Sequence, residues 1–362
     1  MKIIIGGGGT GGHIYPALAL ARYAMAKDGG NDVLFVGSEK GLESKIVPST
    51  GFKLATIPAR GFQRSLKNIG PILRDLFGGL RRSFKLLKEY RPDVVLGMGG
   101  YVAAPLVLSA VLKRLPVVIH EQNALPGLAN RMMAPFVKRV CLSFAETAKR
   151  MPRFSKVVYT GNPRASEVSA LSREEGCRYF NLDPKDKNIL IYGGSRGALK
   201  INQVVTAYLK EKALPPRVNL IYITGEIYYQ DVIEALEEWP ERIRLYSYLQ
   251  EMPEALASAD LAVTRSGATT LAEITALGVP ALLIPSPNVV DNHQYYNARL
   301  LADTGAAVLI EENEFNHYRL QEEIDRLFNK PELLDKMSRS SRKMGFADAA
   351  ERLYCNLQEV AS

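Results

Sequence analysis

The stretch from Lys2 to Ala21 constrains the fold more than any other part of the chain. Ile3 to Ile5 are apolar and β-branched with no polar alternation, the pattern of a strand covered on both faces of a parallel sheet. Six glycines follow between Gly6 and Gly12, then an apolar helical run containing Pro16, which suits a first helical turn. Strand, glycine turn and helix in this order aim backbone N–H groups at an anion. Thr10 and His13 are the side chains able to do chemistry beside it.

The unit recurs. Asp93 to Leu96 reads as a strand followed by Gly97-Met98-Gly99-Gly100-Tyr101, and Asn188 to Tyr192 as a strand followed by Gly193-Gly194-Ser195-Arg196-Gly197-Ala198. Further strands are expected at Val33–Val36, Leu54–Ile57, Val117–Ile119, Arg139–Leu142, Lys156–Tyr159, Asn219–Ile223, Ile243–Tyr246, Leu261–Thr264 and Ala281–Ile284. Two α/β, Rossmann-like domains facing each other across a central cleft are therefore expected, and 362 residues suffice for two cores. Thr160 to Arg164 is the crossing point: domain one spans 1–160, domain two 161–340, and an amphipathic helix in 341–362 can return to the first.

Charge divides at the same place. Residues 1–160 hold 24 Lys and Arg against 9 Asp and Glu, a net +15, whereas 161–362 hold 22 against 29, a net −7. The basic half suits an anionic surface or polymer, phospholipid or nucleic acid. Between Leu66 and Arg91, Leu73, Leu76, Phe77, Leu80, Phe84 and Leu87 recur at helical spacing, as a core-facing stripe does. Left over are Lys67, Arg74, Arg81, Arg82, Lys85, Lys88 and Arg91 with apolar Ile69 and Ile72, the composition of an interfacial membrane contact. Ile69, Ile72, Leu73, Arg74, Phe77, Arg81, Arg82 and Lys85 are its candidate residues.

Cys141, Cys177 and Cys355 form no CxxC pair, so neither a disulfide framework nor a zinc site is expected, and a reduced cytoplasmic setting fits. The glycines, His13 and Pro16 interrupt what would otherwise resemble a signal peptide, and Val102–Leu112 is too short to span a bilayer. Gly6, Gly8 and Gly11 satisfy GxGxxG, but no acid directly follows Val36 to bind a ribose, which weakens a dinucleotide reading. No P-loop and no Asp-x-Asp pair occur. In the second half, Thr264-Arg265-Ser266-Gly267-Ala268-Thr269-Thr270 places small and hydroxyl residues at a helix start suited to phosphate, with Glu273 one turn on, able to accept from a ribose diol.

Gly-Gly-Thr-Gly-Gly-His at 8–13, Gly-Met-Gly-Gly-Tyr at 97–101, His-Glu-Gln-Asn at 120–123, Gly-Asn-Pro-Arg at 161–164, Gly-Gly-Ser-x-Gly-Ala at 193–198, Arg-Ser-Gly-Ala at 265–268 and Ala-Glu-Ile at 272–274 together resemble the MurG family. These are bacterial cell-wall transferases of GT-B fold that add N-acetylglucosamine from its UDP derivative to lipid-linked muramyl-peptide, lipid I to lipid II, in peptidoglycan synthesis. The resemblance runs from residue 2 to about residue 300 and implies an inverting hexosyltransferase without cofactor or metal. It would be peripheral, on the cytoplasmic face of the membrane, with an anionic membrane surface rather than nucleic acid as its polymeric partner.

Carried over by position, the resemblance implies that Ser195 and Ala268–Thr270 meet the UDP diphosphate, Glu273 the ribose, and Arg164 with the backbone near Leu249 the uracil. Asn123 and Gln294 would bond the sugar, with Thr10, Gly11 and Gly12 closing over it. His293 stands where some members carry a second glutamine, so both His293 and Gln294 remain candidates. The acceptor diphosphate would meet Gly8, Gly9, Gly99, Gly100 and Tyr101, and the unperturbed pKa of a histidine, about 6.5, makes His13 the candidate general base. Two alternatives stand beside this reading: a UDP-sugar epimerase of the same fold, and a non-catalytic basic module for membrane or nucleic acid.

Overall fold

The computed structural model describes residues 1–59, 69–153, 155–236 and 239–362; the side chains of Ile69, Pro71, Ile72 and Leu73 also lie outside the described residues, as does Lys67. The chain divides into two compact units, Met1–Arg164 with Asp348–Ser362, and Ala165–Ala347.

The first unit is built on a seven-stranded sheet of order β3-β2-β1-β4-β5-β6-β7, parallel throughout. Its strands are β1 (Lys2–Gly6), β2 (Asp32–Ser38), β3 (Lys53–Ile57), β4 (Val94–Gly97), β5 (Val117–Glu121), β6 (Arg139–Leu142) and β7 (Val157–Tyr159). The second unit carries β8 (Lys187–Tyr192), β9 (Val218–Ile223), β10 (Ile243–Tyr246), β11 (Leu261–Thr264), β12 (Ala281–Leu283) and β13 (Ala307–Leu309), in the parallel order β10-β9-β8-β11-β12-β13. Every expected strand is present, and β13 adds one that its three short residues did not announce. Ile3, Ile4 and Ile5 are fully buried, as helices on both faces of the sheet require.

In each sheet the strand order reverses once, between β1 and β4 and between β8 and β11. At such a switch point the connections leave in opposite directions, so a crevice opens beyond the carboxyl ends of the two strands. The glycine turns singled out in the sequence leave β1, β4, β8 and β11. Both units therefore present two small-residue turns at the place where an open α/β sheet binds ligands.

The helices of the first unit are α1 (Gly11–Lys27), α2 (Glu43–Ser49), α3 (Ile69–Tyr90), α4 (Gly100–Leu112) and α5 (Leu128–Met133). Helix α1 begins at Gly11, so Pro16 is its sixth residue rather than a first-turn proline. The glycines themselves take up the first turn. The last helix, Ala349–Ala361, packs in the first unit: Leu353, Tyr354 and Leu357 join Ile14, Leu18 and Ala21 in one core, and Arg139 donates to Asn356 at 2.6 Å.

On α3 the stripe of apolar residues and the buried face do not coincide. Gly79, Ser83, Leu86 and Leu87 are buried, whereas Leu76 is 37% and Phe77 70% exposed. The small residues decide this, because a Cβ at Gly79 would stand 2.6 Å from the Pro58 carbonyl oxygen and 3.2 Å from the Pro105 ring. Helix α3 thus approaches its neighbours along Gly79 and Ser83, and Phe77 is turned outward with exposed Arg74, Arg81, Arg82 and Lys85 around it.

His120, fully buried on β5, ties the sheet to the chain's crossing point: its Nε2 donates to the Gly161 carbonyl at 2.9 Å and its Nδ1 accepts from the Gln122 amide at 3.1 Å. Burial, which outweighs the Gly161 hydrogen bond, lowers its pKa from 6.5 to about 4, helped by the charge of His13. The folded chain therefore holds a neutral imidazole that the unfolded chain protonates below pH 6.5. Stability present in full above that pH should be lost progressively as pH falls to about 4, by about 3 kcal/mol from this residue. Hydrogen exchange of the β1, β4 and β5 amides, corrected for intrinsic rates, measures it: protection should decline between pH 7 and pH 4.5 in the wild type and decline less in His120→Gln. Equal declines would show that His120 is not the source.

Candidate active site

In the first unit the two glycine turns interlock. A Cβ at Gly100 (φ +78°) would lie 2.5 Å from the Gly8 carbonyl oxygen, and one at Gly7 would lie 2.9 Å from Met98 Cβ. Glycine at position 100 is what lets the β4 turn close on the β1 turn. His13, in the first turn of α1, reaches back over this contact: its Nδ1 lies 3.1 Å from the Gly8 carbonyl oxygen and 3.2 Å from Thr10 Oγ1. A carbonyl oxygen only accepts, so Nδ1 carries the proton, the Thr10 hydroxyl is free to rotate to suit, and Nε2 is the basic nitrogen of the neutral ring. The His13 ring also packs beside Gly99, where a Cβ would meet Nε2 at 3.1 Å. Tyr101 lies edge-on to Gly9, 2.9 Å from a Cβ built there.

Beneath the β1 turn sits a carboxylate that the sequence reading passed over. Glu43, first residue of α2, is 1% exposed; Oε2 accepts from the Gly9 N–H at 2.9 Å, and Oε1 from the Ser38 N–H and hydroxyl at 2.8 and 2.7 Å. Burial alone would push its carboxyl up; the hydrogen bonds from Gly9 and Ser38 outweigh burial and hold it below the ordinary carboxylate value. The Gly9 N–H is thus turned away from any ligand, and Gly7 N–H donates to the Val36 carbonyl. Gly11 and Gly12 stand at the helix start, where N–H groups have no intrahelical acceptor. The weak signal for Glu43 was its flanking glycines, Gly37 and Gly41.

At the end of β5 a second buried acid organises the loop bearing Asn123. Glu121 accepts from Asn123 N–H at 3.0 Å and its side-chain amide at 3.4 Å through Oε1, and from Gly127 N–H at 3.0 Å and Asn130 at 2.8 Å through Oε2. Gln122 donates to the Met98 carbonyl at 2.8 Å, joining this loop to the β4 turn. Arg164 closes the first unit, its guanidinium 5.9 Å from the Tyr15 ring centroid. Gly8 to His13, Gly99 to Tyr101, Asn123 and Arg164 are thus all in the first unit, and the contacts above join the two glycine turns and the Asn123 loop.

The second unit assembles the other expected residues from loops at one edge of its sheet. The β8 turn places Ser195 in solvent, and its Gly197 packs on the loop after β9, where a Cβ would stand 2.1 Å from the Thr224 carbonyl oxygen. After β11, Gly267 precedes the helix Ala268–Leu277, whose first turn holds Thr269 and Thr270 and no acid to neutralise its N–H groups. Thr269 Oγ1 is buried there without a hydrogen-bond partner. Glu273, 7% exposed, is the sixth helical residue, and its charge adds to burial in pushing the Tyr192 phenol up. Leu249 follows β10 and is 7% exposed.

Arg265 braces this edge by donating to the Ile284 and Pro285 carbonyls at 3.1 and 3.2 Å and pairing with Glu312. The Ser286 N–H donates to Gln294 Oε1 at 2.9 Å, while Ser266 donates to the Gln294 carbonyl at 2.8 Å and Asn297 to the Ser266 carbonyl at 3.1 Å. Gln294 is thereby tied to the β11 turn, whereas His293 Nδ1 turns back to the Val290 carbonyl at 2.9 Å. The bracing role of Arg265, Glu312 and Asn297 was not visible in the sequence.

Known proteins share this arrangement. Residues 3–142 match the glycosyltransferase family 28 N-terminal domain and residues 188–353 the family's C-terminal domain. A relative from Halalkalibacterium halodurans, named UDP-N-acetylglucosamine–N-acetylmuramyl-(pentapeptide) pyrophosphoryl-undecaprenol N-acetylglucosamine transferase, is 46% identical over 365 residues, covering all of both chains. The crystal structure of Acinetobacter baumannii MurG superposes with a TM-score of 0.77 at 30% identity over 99% of each chain. A UDP-N-acetylglucosamine 2-epimerase from Neisseria meningitidis shares the fold, with a TM-score of 0.68 over 99% of this chain and all of that one, but only 16% identity. The chain belongs to glycosyltransferase family 28.

Proposed function

We propose that the chain transfers N-acetylglucosamine from UDP-N-acetylglucosamine to the 4-hydroxyl of undecaprenyl-diphosphate-linked N-acetylmuramyl-peptide, with inversion. Full-length identity to a protein named for this transfer carries the reading. The epimerase likeness is one of fold alone, and a non-catalytic module would have no use for the braced turns of the second unit.

The second unit holds the donor. The helix start at Ala268 receives the diphosphate with Ser195, Thr269 and Thr270, Glu273 accepts from the ribose hydroxyls, and the backbone at Leu249 meets the uracil. Gln294, fixed by Ser286, bonds the sugar. The first unit takes the acceptor diphosphate at the Gly11 and Gly12 N–H groups and the Gly99–Tyr101 turn.

In the reaction the muramyl oxygen forms a bond to the anomeric carbon on the face opposite the diphosphate. The bond from that carbon to the diphosphate oxygen breaks, and UDP leaves with the electron pair. The hydroxyl proton passes to His13 Nε2. Charge gathering on the departing diphosphate is met by N–H groups already oriented at the helix start, which need no reorganisation.

Helix α3 supplies the membrane contact. Phe77 stands out of the surface among Arg74, Arg81, Arg82 and Lys85, and each such cation contributes about 1 kcal/mol near an anionic leaflet. Among the described residues no helix is long and apolar enough to cross a bilayer, so attachment through this face is peripheral.

Three measurements bear on the proposal. Calorimetry should show UDP and UDP-N-acetylglucosamine binding, UDP-glucose weaker and NAD absent; equal affinity for all four would sink the donor assignment. His13→Ala should lower turnover by about a hundredfold with donor affinity unchanged, and a loss well under tenfold would remove His13 as the base. Arg81→Glu with Arg82→Glu should weaken flotation with anionic vesicles by about thirtyfold or more while leaving UDP-N-acetylglucosamine affinity in place. Unchanged flotation would place the contact elsewhere.

A further inference from the structure

The Gly8 carbonyl that holds His13 and the Gly9 N–H that donates to Glu43 belong to one peptide group. Its oxygen lies 3.1 Å from His13 Nδ1 and its nitrogen 2.9 Å from Glu43 Oε2, the two bonds leaving opposite edges of one planar group. We infer that Glu43 is the positioning residue of His13, acting through the Gly8–Gly9 peptide as a relay: carboxylate, peptide group and imidazole form a single hydrogen-bonded chain that ends on the basic Nε2. This inference rests on the reading of His13 as the base.

The chemistry runs in one direction. A carboxylate accepting from the Gly9 N–H draws that proton toward itself and leaves more electron density on the Gly8 oxygen, since the two ends of an amide are conjugated. A more negative carbonyl is a better acceptor for Nδ1–H. It fixes the ring in the tautomer with Nε2 bare, and it favours the imidazolium that forms when Nε2 takes the hydroxyl proton. The proton stays on the imidazole, so the carboxylate acts as a fixed charge rather than an acceptor of it. Acids that contact a catalytic imidazole directly do the same work; here a peptide is interposed.

The surroundings are built for this carboxylate. A Cβ at Gly8, Gly37 or Gly41 would come within 2.4, 2.4 and 2.2 Å of Glu43 side-chain atoms. Ser38 engages Oε1 with two hydrogen bonds and leaves Oε2 to Gly9. A buried acid whose only use was to begin α2 would need none of this, because helix N-termini satisfy carboxylates at the surface. Among the described residues, His120 lies close enough for the charge of His13 to lower its pKa, Tyr101 from α4 packs against Gly9, and Arg164 lies over Tyr15 on the helix of His13 itself.

Nitrogen NMR of the imidazole in the full chain, with the pH dependence of turnover, tests the relay. In the wild type His13 should be the Nδ1–H tautomer; an Nε2–H ring would overturn the inference whether or not any variant folds. In Glu43→Gln the Nε2–H form should become populated, turnover should fall about tenfold, and the acid limb of the kcat profile should move down by about half a pH unit or more. Ser38→Ala, which loosens Oε1 and keeps Oε2 on Gly9, should lower stability and leave that limb in place. A folded Glu43→Gln that loses activity equally at every pH with the His13 tautomer unchanged would make Glu43 merely structural. If His13→Ala retains turnover, the base reading fails, yet the NMR result still reports whether the relay exists.

Discussion

The contact between the Gly8 carbonyl and Gly100, at the point where the first sheet reverses its strand order, is the constraint on which the rest of the first unit's site depends. It fixes the β1 and β4 turns against each other at 2.5 Å from where a side chain would begin, and His13 is hung from the same carbonyl. The turn cannot relax outward, because Glu43 holds its other side. A buried carboxylate is several kcal/mol uphill unless its hydrogen bonds are complete, while each bond to a charge contributes about 1.5 to 3 kcal/mol. The three donors from Gly9 and Ser38 supply that balance only in the observed backbone arrangement. The glycine turn is therefore a rigid object.

The second unit meets the same need with the opposite charge. Arg265 takes the carbonyls of Ile284 and Pro285, and Asn297 and Ser266 bind the β11 turn to the helix His293–Asp303. Glu312 balances the guanidinium, so Arg265 orders carbonyls without presenting a bare cation. The positive potential left for a diphosphate is that of the helix start, which acts within about one turn and is lost if the turn shifts.

Strands and turns were legible because they depend on local pattern. Ile3–Ile5 and Leu261–Val263 are short apolar runs, each followed within a few residues by a glycine turn, and each became part of a strand. Their alternation with helices was enough to fix two parallel sheets. Short β13, Ala307–Leu309, escaped. The candidate residues His13, Glu273 and Gln294 came from motifs that name a chemistry, whereas a residue that acts on the backbone of another segment was illegible. Glu43 is 34 residues from Gly9, and Glu312 47 from Arg265. Nothing in local periodicity marks an acid that will be buried by such distant partners. The Pro16 reading failed for the same reason in reverse: a local rule placed it at a helix start that the glycines had already taken.

Helix α3 shows why a hydrophobic stripe does not by itself identify a buried face. Its contact with α4 runs along Gly79 and Ser83, whose smallness lets backbones approach, and this rotates the larger Phe77 to 70% exposure. Arg81, Arg82 and Lys85 lie within about one helical pitch, 5.4 Å, of one another along the axis, inside the screening length of about 8 Å at physiological salt, with Arg74 two turns before Arg81. They therefore act together on an extended anionic plane, whereas a small soluble anion would meet one or two of them at a time and gain little. The apolar ring among them has no use for such an anion either. Charge spacing and exposed aromatic area on one face thus support the proposed lipid contact over a dissolved ligand.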